Sequence, residues 1–154
     1  MEYTFMFENS NKNGKILEVL KENSRLSSGK ISKKTGIPAT TIFNRIKKME
    51  KEGIIKKYTV DLDYKKIGIG IQAFVFVSQD YKAFDREKQE KMLDRIAKEP
   101  GIDNVFRISG RYDLLIIFRA KDIDELDEFL IKLQEENYGI LKTETMVVLK
   151  SGTK

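Results

Sequence analysis

Gly36-Ile37-Pro38-Ala39-Thr40-Thr41-Ile42-Phe43-Asn44-Arg45-Ile46-Lys47-Lys48-Met49-Glu50-Lys51-Glu52-Gly53 is the stretch whose reading decides the fold. Ile42, Ile46 and Met49 stand four and then three residues apart, so on a helix of about 3.6 residues per turn they form one apolar stripe. Turning about 100° per residue from Ile42 puts Thr40, Asn44, Lys47 and Lys51 on the opposite side, with Thr41 and Lys48 beside them. That outward face is basic and carries groups that donate and accept hydrogen bonds. Pro38 supplies the fixed φ tolerated at a helix start, and Gly53 the left-handed position that commonly follows a helix end. Upstream, residues 26–35 read as a short helix capped by Ser27 or Ser28 and closed by Gly36. A short helix, a glycine turn and a longer helix with a polar outer face make a helix-turn-helix. A lysine-rich face is ordinarily no more than solvated surface, so the rest of the chain has to decide.

The placement of charge is the next clue. Residues 1 to 62 carry 13 basic and 7 acidic side chains, a balance of +6, whereas residues 63 to 154 carry 16 and 17, a balance of −1. The basic excess therefore sits with the helix-turn-helix, as a nucleic-acid-binding module requires. The chain has no cysteine and no histidine, which excludes disulfides, thiol nucleophiles, imidazole bases and conventional zinc sites. No catalytic residue, metal site or cofactor is expected. The carboxylates Asp122, Asp124, Glu125, Asp127 and Glu128 gather at a helix start, where negative charge favours the macrodipole, so an enzyme is the weakest reading. No apolar run approaches the roughly 20 residues of a membrane helix, and residues 1–7 are too short for a signal peptide. A cytoplasmic location is expected. The abundance of Lys, Glu and Ile suits a thermophilic source or an AT-rich genome equally.

In chain order, residues 9–13 cluster capping residues, and Ile16, Leu17 and Leu20 give a first helix ending near Asn23. Residues 54–61, β-branched and aromatic, predict a strand or small hairpin beside the longer helix, with Lys56 and Lys57 near phosphates. Residues 62–68 read as a linker between a first domain, 1–61, and a second, 69–154. In the second, the pattern gives a strand over 69–79, a helix over 85–98 with Met92, Leu93 and Ile96 inward, and strands over 102–109 and 112–119 meeting at Gly110-Arg111. A second helix follows over 123–135 with Leu126, Phe129, Leu130 and Leu133 as its stripe, then a strand over 140–149. Strand, helix, strand, strand, helix, strand is the ferredoxin-like pattern, an α+β fold with helices on one face of an antiparallel sheet. Phe74 and Phe76 alternate with Ala73, Val75 and Val77, so both faces of the first strand are apolar. A bare apolar face is avoided by soluble monomers, which predicts a homodimer through these units.

With both units in place, the chain resembles the leucine-responsive regulatory protein family, Lrp/AsnC or feast/famine regulators, over nearly all of residues 9–150. The N-terminal signature is Ile16-Leu17, Gly36-Ile37, Thr41-Ile42 with Arg45-Ile46, and Glu50 followed by Gly53-Ile54-Ile55. The C-terminal signature is Gly110-Arg111-Tyr112-Asp113. The chain departs from the usual opening, having Asn9, Ser10 and Asn13 where the family has an apolar-acidic pair and a second aspartate; these are interchangeable caps. Residues 1–8 lie outside the shared pattern as a disordered arm or an added strand.

The resemblance implies a transcriptional regulator, archaeal in type, whose dimers present two winged helices to a pseudo-palindromic double-stranded DNA operator and assemble into tetramers or octamers. The expected DNA contacts are Arg25, Ser27, Thr40, Thr41, Asn44, Lys47, Lys48, Lys51 and Lys57. By chemistry, Asn44 suits adenine, Lys47 guanine, and Thr40 and Thr41 a phosphate or thymine methyl. Arg25, Lys48, Lys51 and Lys57 suit phosphates. Arg45 is expected to pack its stem and spend its head in a structural ion pair; Phe43 is either a core residue against the first helix, the favoured place, or an apolar base contact. An amino-acid effector is expected at Gly110, Arg111, Tyr112 and Asp113, joined by Thr143 and Thr145 through the resemblance. The alternatives are an RNA-binding protein using aromatics on the sheet, and a DNA-binding regulator with no effector.

Overall fold

Helix boundaries in the computed structural model, which describes residues 11–80, 86–136 and 139–152, follow the capping chemistry. Helix α1 spans Asn11–Glu22, α2 Ser28–Thr35 and α3 Ala39–Lys51. The Ser27 side chain caps α2 by accepting from the Lys30 N–H, and Gly36 closes it at φ 71°. Pro38 precedes α3, and Gly53 turns the chain away at φ 70°. The stripe read from the sequence is the one buried: Ile42 and Met49 are inaccessible and pack with Ile16, Leu20, Ile31 and Ile37, with Leu17 and Ile46 partly buried against them.

Packing divides the chain after Asp61. The second unit opens with a single 3-10 turn, Tyr64–Ile67, whose Tyr64 ring lies under the Arg119 guanidinium at 3.5 Å. There follow β1 (Ile71–Gln79), α4 (Arg86–Ile96), β2 (Ile102–Arg107), β3 (Leu114–Ala120), α5 (Ile123–Glu135) and β4 (Ile140–Val147). The strands form one antiparallel sheet in the order β2-β3-β1-β4, the ferredoxin-like arrangement. One face is sealed by the two helices. Ala73, Val75, Val77, Leu114, Ile116, Phe118 and Ala120 pack on Met92, Ile96, Leu126, Phe129 and Leu133, and the Phe118 and Phe129 rings stack at 4.0 Å. The acidic cluster at the start of α5 is capping machinery: Asp122 accepts from the Glu125 N–H at 3.0 Å and Glu125 reaches back to the Lys121 N–H at 2.6 Å. The donated N–H of Glu125 is the main cause holding the Asp122 carboxyl below its ordinary pKa.

Three expectations change. Residues 54–61 form no strand or hairpin among the described residues: past the bend at Ile54 and Ile55, whose N–H groups both bond to Met49 O, the chain has no ladder partner among them. Its β-branched composition favours extension, but a strand also requires an edge to pair with. Nor is the β2–β3 connection a tight hairpin at Gly110-Arg111. The strand pairing ends at Arg107↔Leu114, and Ile108 N–H donates to Asp113 O at 2.9 Å, leaving a loop over 109–112. Phe43 is not in the core; it is 54% exposed. The expected arm, residues 1–8, lies outside the described residues.

Candidate nucleic-acid interface and ligand loop

The outward face of α3 is built as its periodicity dictates. Thr40, Asn44, Lys47, Lys48 and Lys51 are exposed and Thr41 is half-buried, and with them stands the exposed ring of Phe43. Lys47 is held to Glu50 at 3.7 Å and Lys48 to Glu52 at 3.7 Å, long pairs that a stronger anion can displace. A cleft of about 340 Å³ between α1 and α3 is lined by Asn13, Thr41, Asn44, Arg45, Lys48 and Met49. Its floor explains Arg45, whose Nη1 donates to Asn13 Oδ1 at 2.7 Å and so ties the helix to α1. Arg25 is exposed and its N–H caps onto Asn23 Oδ1 at 3.0 Å. Ser27 is exposed too, though its hydroxyl already serves α2 as a cap.

Lys56 and Lys57 are carried on the segment past Gly53, where Ile55 packs against the core and a tyrosine reaches back to α3. Tyr58 Oη donates to Glu50 Oε1 at 2.8 Å. Desolvation against the helix, then the hydrogen bond and charge of Glu50, raise the Tyr58 pKa above its ordinary value. The neutral hydroxyl is the donor, so this link is complete below the unfolded-state pKa near 10 and is lost as pH rises through the higher folded one. At neutral pH, Tyr58→Phe is expected to lower duplex affinity about threefold, the worth of one exposed hydrogen bond. A fluorescence titration at pH 7 checks this, and an unchanged affinity would show that the segment carrying Lys57 needs no such anchor.

The loop over 109–112 belongs to the second unit. Gly110 has φ 137°, and a Cβ built there meets nothing within 4 Å, so the space beside it is open. Arg111 lies against the Tyr112 ring at 5.4 Å, and that ring lies 5.2 Å from Phe76 on the sheet face opposite α4 and α5. Tyr112 Oη donates to Glu144 on β4, which holds the Tyr112 pKa above its ordinary value. Asp113 is already engaged: its Oδ2 accepts from the Gln79 N–H at 2.7 Å and its own N–H donates to Val77 O at 2.8 Å. Thr143 and Thr145 pair with Val77 and Val75, so register puts them on the helix-covered side of the sheet, opposite Phe76 and Glu144. The structure thus gathers Gly110 to Tyr112 with Glu144, a residue the sequence reading omitted, and places the two threonines across the sheet from them.

A helix-turn-helix unit followed by a ferredoxin-like unit with a glycine loop defines a class, the two-unit transcriptional regulator. Residues 10–56 match the winged helix-turn-helix DNA-binding family model, and residues 72–153 the Lrp/AsnC ligand binding domain. An uncharacterized HTH-type transcriptional regulator of Pyrococcus furiosus is 39% identical over 132 residues, 86% of this chain and 87% of that one. The HTH-type transcriptional regulator FL11 of Pyrococcus horikoshii is 35% identical over 89% of this chain and 87% of its own. The crystal structure of a Neisseria meningitidis transcriptional regulator in complex with L-Met superposes with a TM-score of 0.83 at 25% identity, covering 94% of this chain and 92% of the other. The chain belongs to the Lrp/AsnC family and is a DNA-binding transcriptional regulator.

Proposed function

We propose that this regulator binds pseudo-palindromic duplex operators as a homodimer, without catalysis and in the cytoplasm, and that a free amino acid tunes it. The first domain, residues 1–61, reads the duplex, and the second, 69–154, pairs the copies and senses the ligand, with 62–68 as the linker. In the first, α3 enters the major groove. Asn44 and Lys47 face base edges, and Thr40 and Thr41 a phosphate or thymine methyl; Arg25, Ser27, Lys48, Lys51 and Lys57 hold phosphates. The observation that carries this reading is the exposed polar face of α3 in the half of the chain that holds the +6 balance.

Pairing of two copies rests on the uncovered sheet face. Register lines up Phe74 with Ile117 and Met146, and Phe76 with Leu115, while Phe106 and Met146 are 45% and 49% exposed. Burying such a face is worth about 25 cal/mol per Å² of apolar area, and a second copy offers the same patch in return. The ligand reading places an amino acid's backbone groups at Gly110, Arg111 and Tyr112 with Glu144 beside them; Asp113, whose Oδ2 accepts from the Gln79 N–H, positions the loop, and Thr143 and Thr145, across the sheet, drop out of the site. The complex of the Neisseria meningitidis regulator with L-Met supports that ligand class. Ligand coupling to DNA then requires only that the amino acid contact one assembly state better than another.

One titration tests the reading. Random duplex DNA and single-stranded RNA are titrated at two salt concentrations with sedimentation of the complexes, with and without a mixture of amino acids. Duplex is expected to win, with an affinity that falls steeply with salt and two copies per site. Preference for the RNA would move the binding surface to the sheet aromatics and overturn the assignment.

A further inference from the structure

The exposed ring of Phe43 is the least expected feature of α3. A phenylalanine projected about 100° from the buried stripe can be held between helices, and here it is not: it is 54% exposed, while Ile42 beside it is inaccessible. No other aromatic ring or core cluster claims it among the described residues; its neighbour is Lys47, one turn on, whose Nζ sits 6.0 Å from the ring centroid. A single exposed aromatic is tolerated in water, but this one flanks Lys47 and Asn44 on the face assigned to DNA, where it gains by packing on an apolar surface of the partner. The major groove of a DNA duplex presents one such surface, the C5-methyl of thymine.

We propose that Phe43 is a specificity-determining residue that reads a thymine methyl in each operator half-site, next to the bases faced by Asn44 and Lys47; this rests on the DNA-reading role assigned to α3 above. The aromatic ring packs on the methyl, and the Lys47 stem covers its outer edge from one turn away. The neighbouring Asn44 follows on the same face and suits adenine, so the two residues together favour an A·T-containing step. Because Phe43 takes no part in the core, its removal alters recognition without unfolding the unit.

The test uses the full chain and the tightest duplex it selects from a random pool. Each thymine is replaced in turn by deoxyuridine, which deletes the methyl and keeps every hydrogen-bonding group. At one or two positions per half-site, the replacement is expected to weaken the wild type about fourfold, the worth of one methyl removed from water. Phe43→Ala is expected to bind the thymine duplex about tenfold more weakly and to be indifferent to deoxyuridine at those positions, while Phe43→Leu retains part of the methyl dependence. Equal loss in wild type and Phe43→Ala at every position, or no loss in either, would overturn the inference while leaving duplex binding by α3 intact. Absence of any salt-dependent duplex binding by the wild type would instead overturn the DNA reading itself, and this inference with it.

Discussion

Replacing Asn44 and Lys47 together with alanine is expected to abolish selective retardation of an operator duplex. A well-formed hydrogen-bonded pairing with a base edge discriminates by about 1 to 3 kcal/mol. Removing two such pairings from each of two half-sites costs at least about 4 kcal/mol, a factor of about a thousand, which brings a specific complex down to the level of non-specific binding. Neither side chain supports the fold. Asn44 and Lys47 are both exposed, and the Lys47 to Glu50 pair at 3.7 Å is a surface interaction discounted by solvent. The buried residues of α3, Ile42 and Met49, are untouched. Residual binding should keep most of its salt dependence, since the phosphate contacts proposed for Lys48, Lys51 and Lys57 are left in place. Retardation assays with sedimentation of the same samples read both quantities; selective binding that survived in an intact dimer would take α3 out of the groove.

How much of the molecule is legible in its sequence depends on how local the determining physics is. The helix-turn-helix is readable because caps, a glycine turn and a stripe at Ile42, Ile46 and Met49 all act within a few residues of one another. The sheet order is readable from the succession of elements. What stays hidden depends on partners distant in sequence. Phe43 sits on the flank of the stripe, where helical projection is indifferent between core and solvent, and only the position of the neighbouring helices decides. Residues 54–61 have the composition of a strand, yet the chain there is fastened by Tyr58 to Glu50 and not by a ladder. In the loop, the glycine and the acidic residue are visible, whereas the use of Asp113 by the Gln79 N–H is set by the register of β1 on β3. Strand β4, with polar residues of both parities at Lys142, Thr143, Glu144 and Thr145, gives no alternation from which to choose the face of Thr143. Glu144 escapes a sequence reading for the same reason.

Gly101→Ala is expected to cost the second unit about 2 to 5 kcal/mol, against a typical domain stability of about 5 to 15 kcal/mol. Two independent effects add at this position. Gly101 has φ 81°, a left-handed conformation that costs a residue with a Cβ about 1 to 2 kcal/mol. In addition, a Cβ would stand 2.6 Å from Phe118 Cε2 and 2.7 Å from Arg119 O. Neither neighbour can give way cheaply. Phe118 is stacked on Phe129 at 4.0 Å in the core, and the Arg119 backbone is fixed in β3, its N–H donating to Gly101 O at 2.7 Å. Overpacking of that kind costs about 1 to 3 kcal/mol. Gly68 separates the two effects, because it lies in the same unit at φ 84° and a Cβ there meets nothing within 4 Å. Gly68→Ala should therefore lose only the conformational part, about 1 to 2 kcal/mol. Urea unfolding of both variants, followed by far-ultraviolet circular dichroism and tyrosine fluorescence, reads the difference directly. Equal midpoints for the two would mean that the chain at Gly101 moves aside, and that the close approach of this turn to Phe118 does not hold β2 against β3.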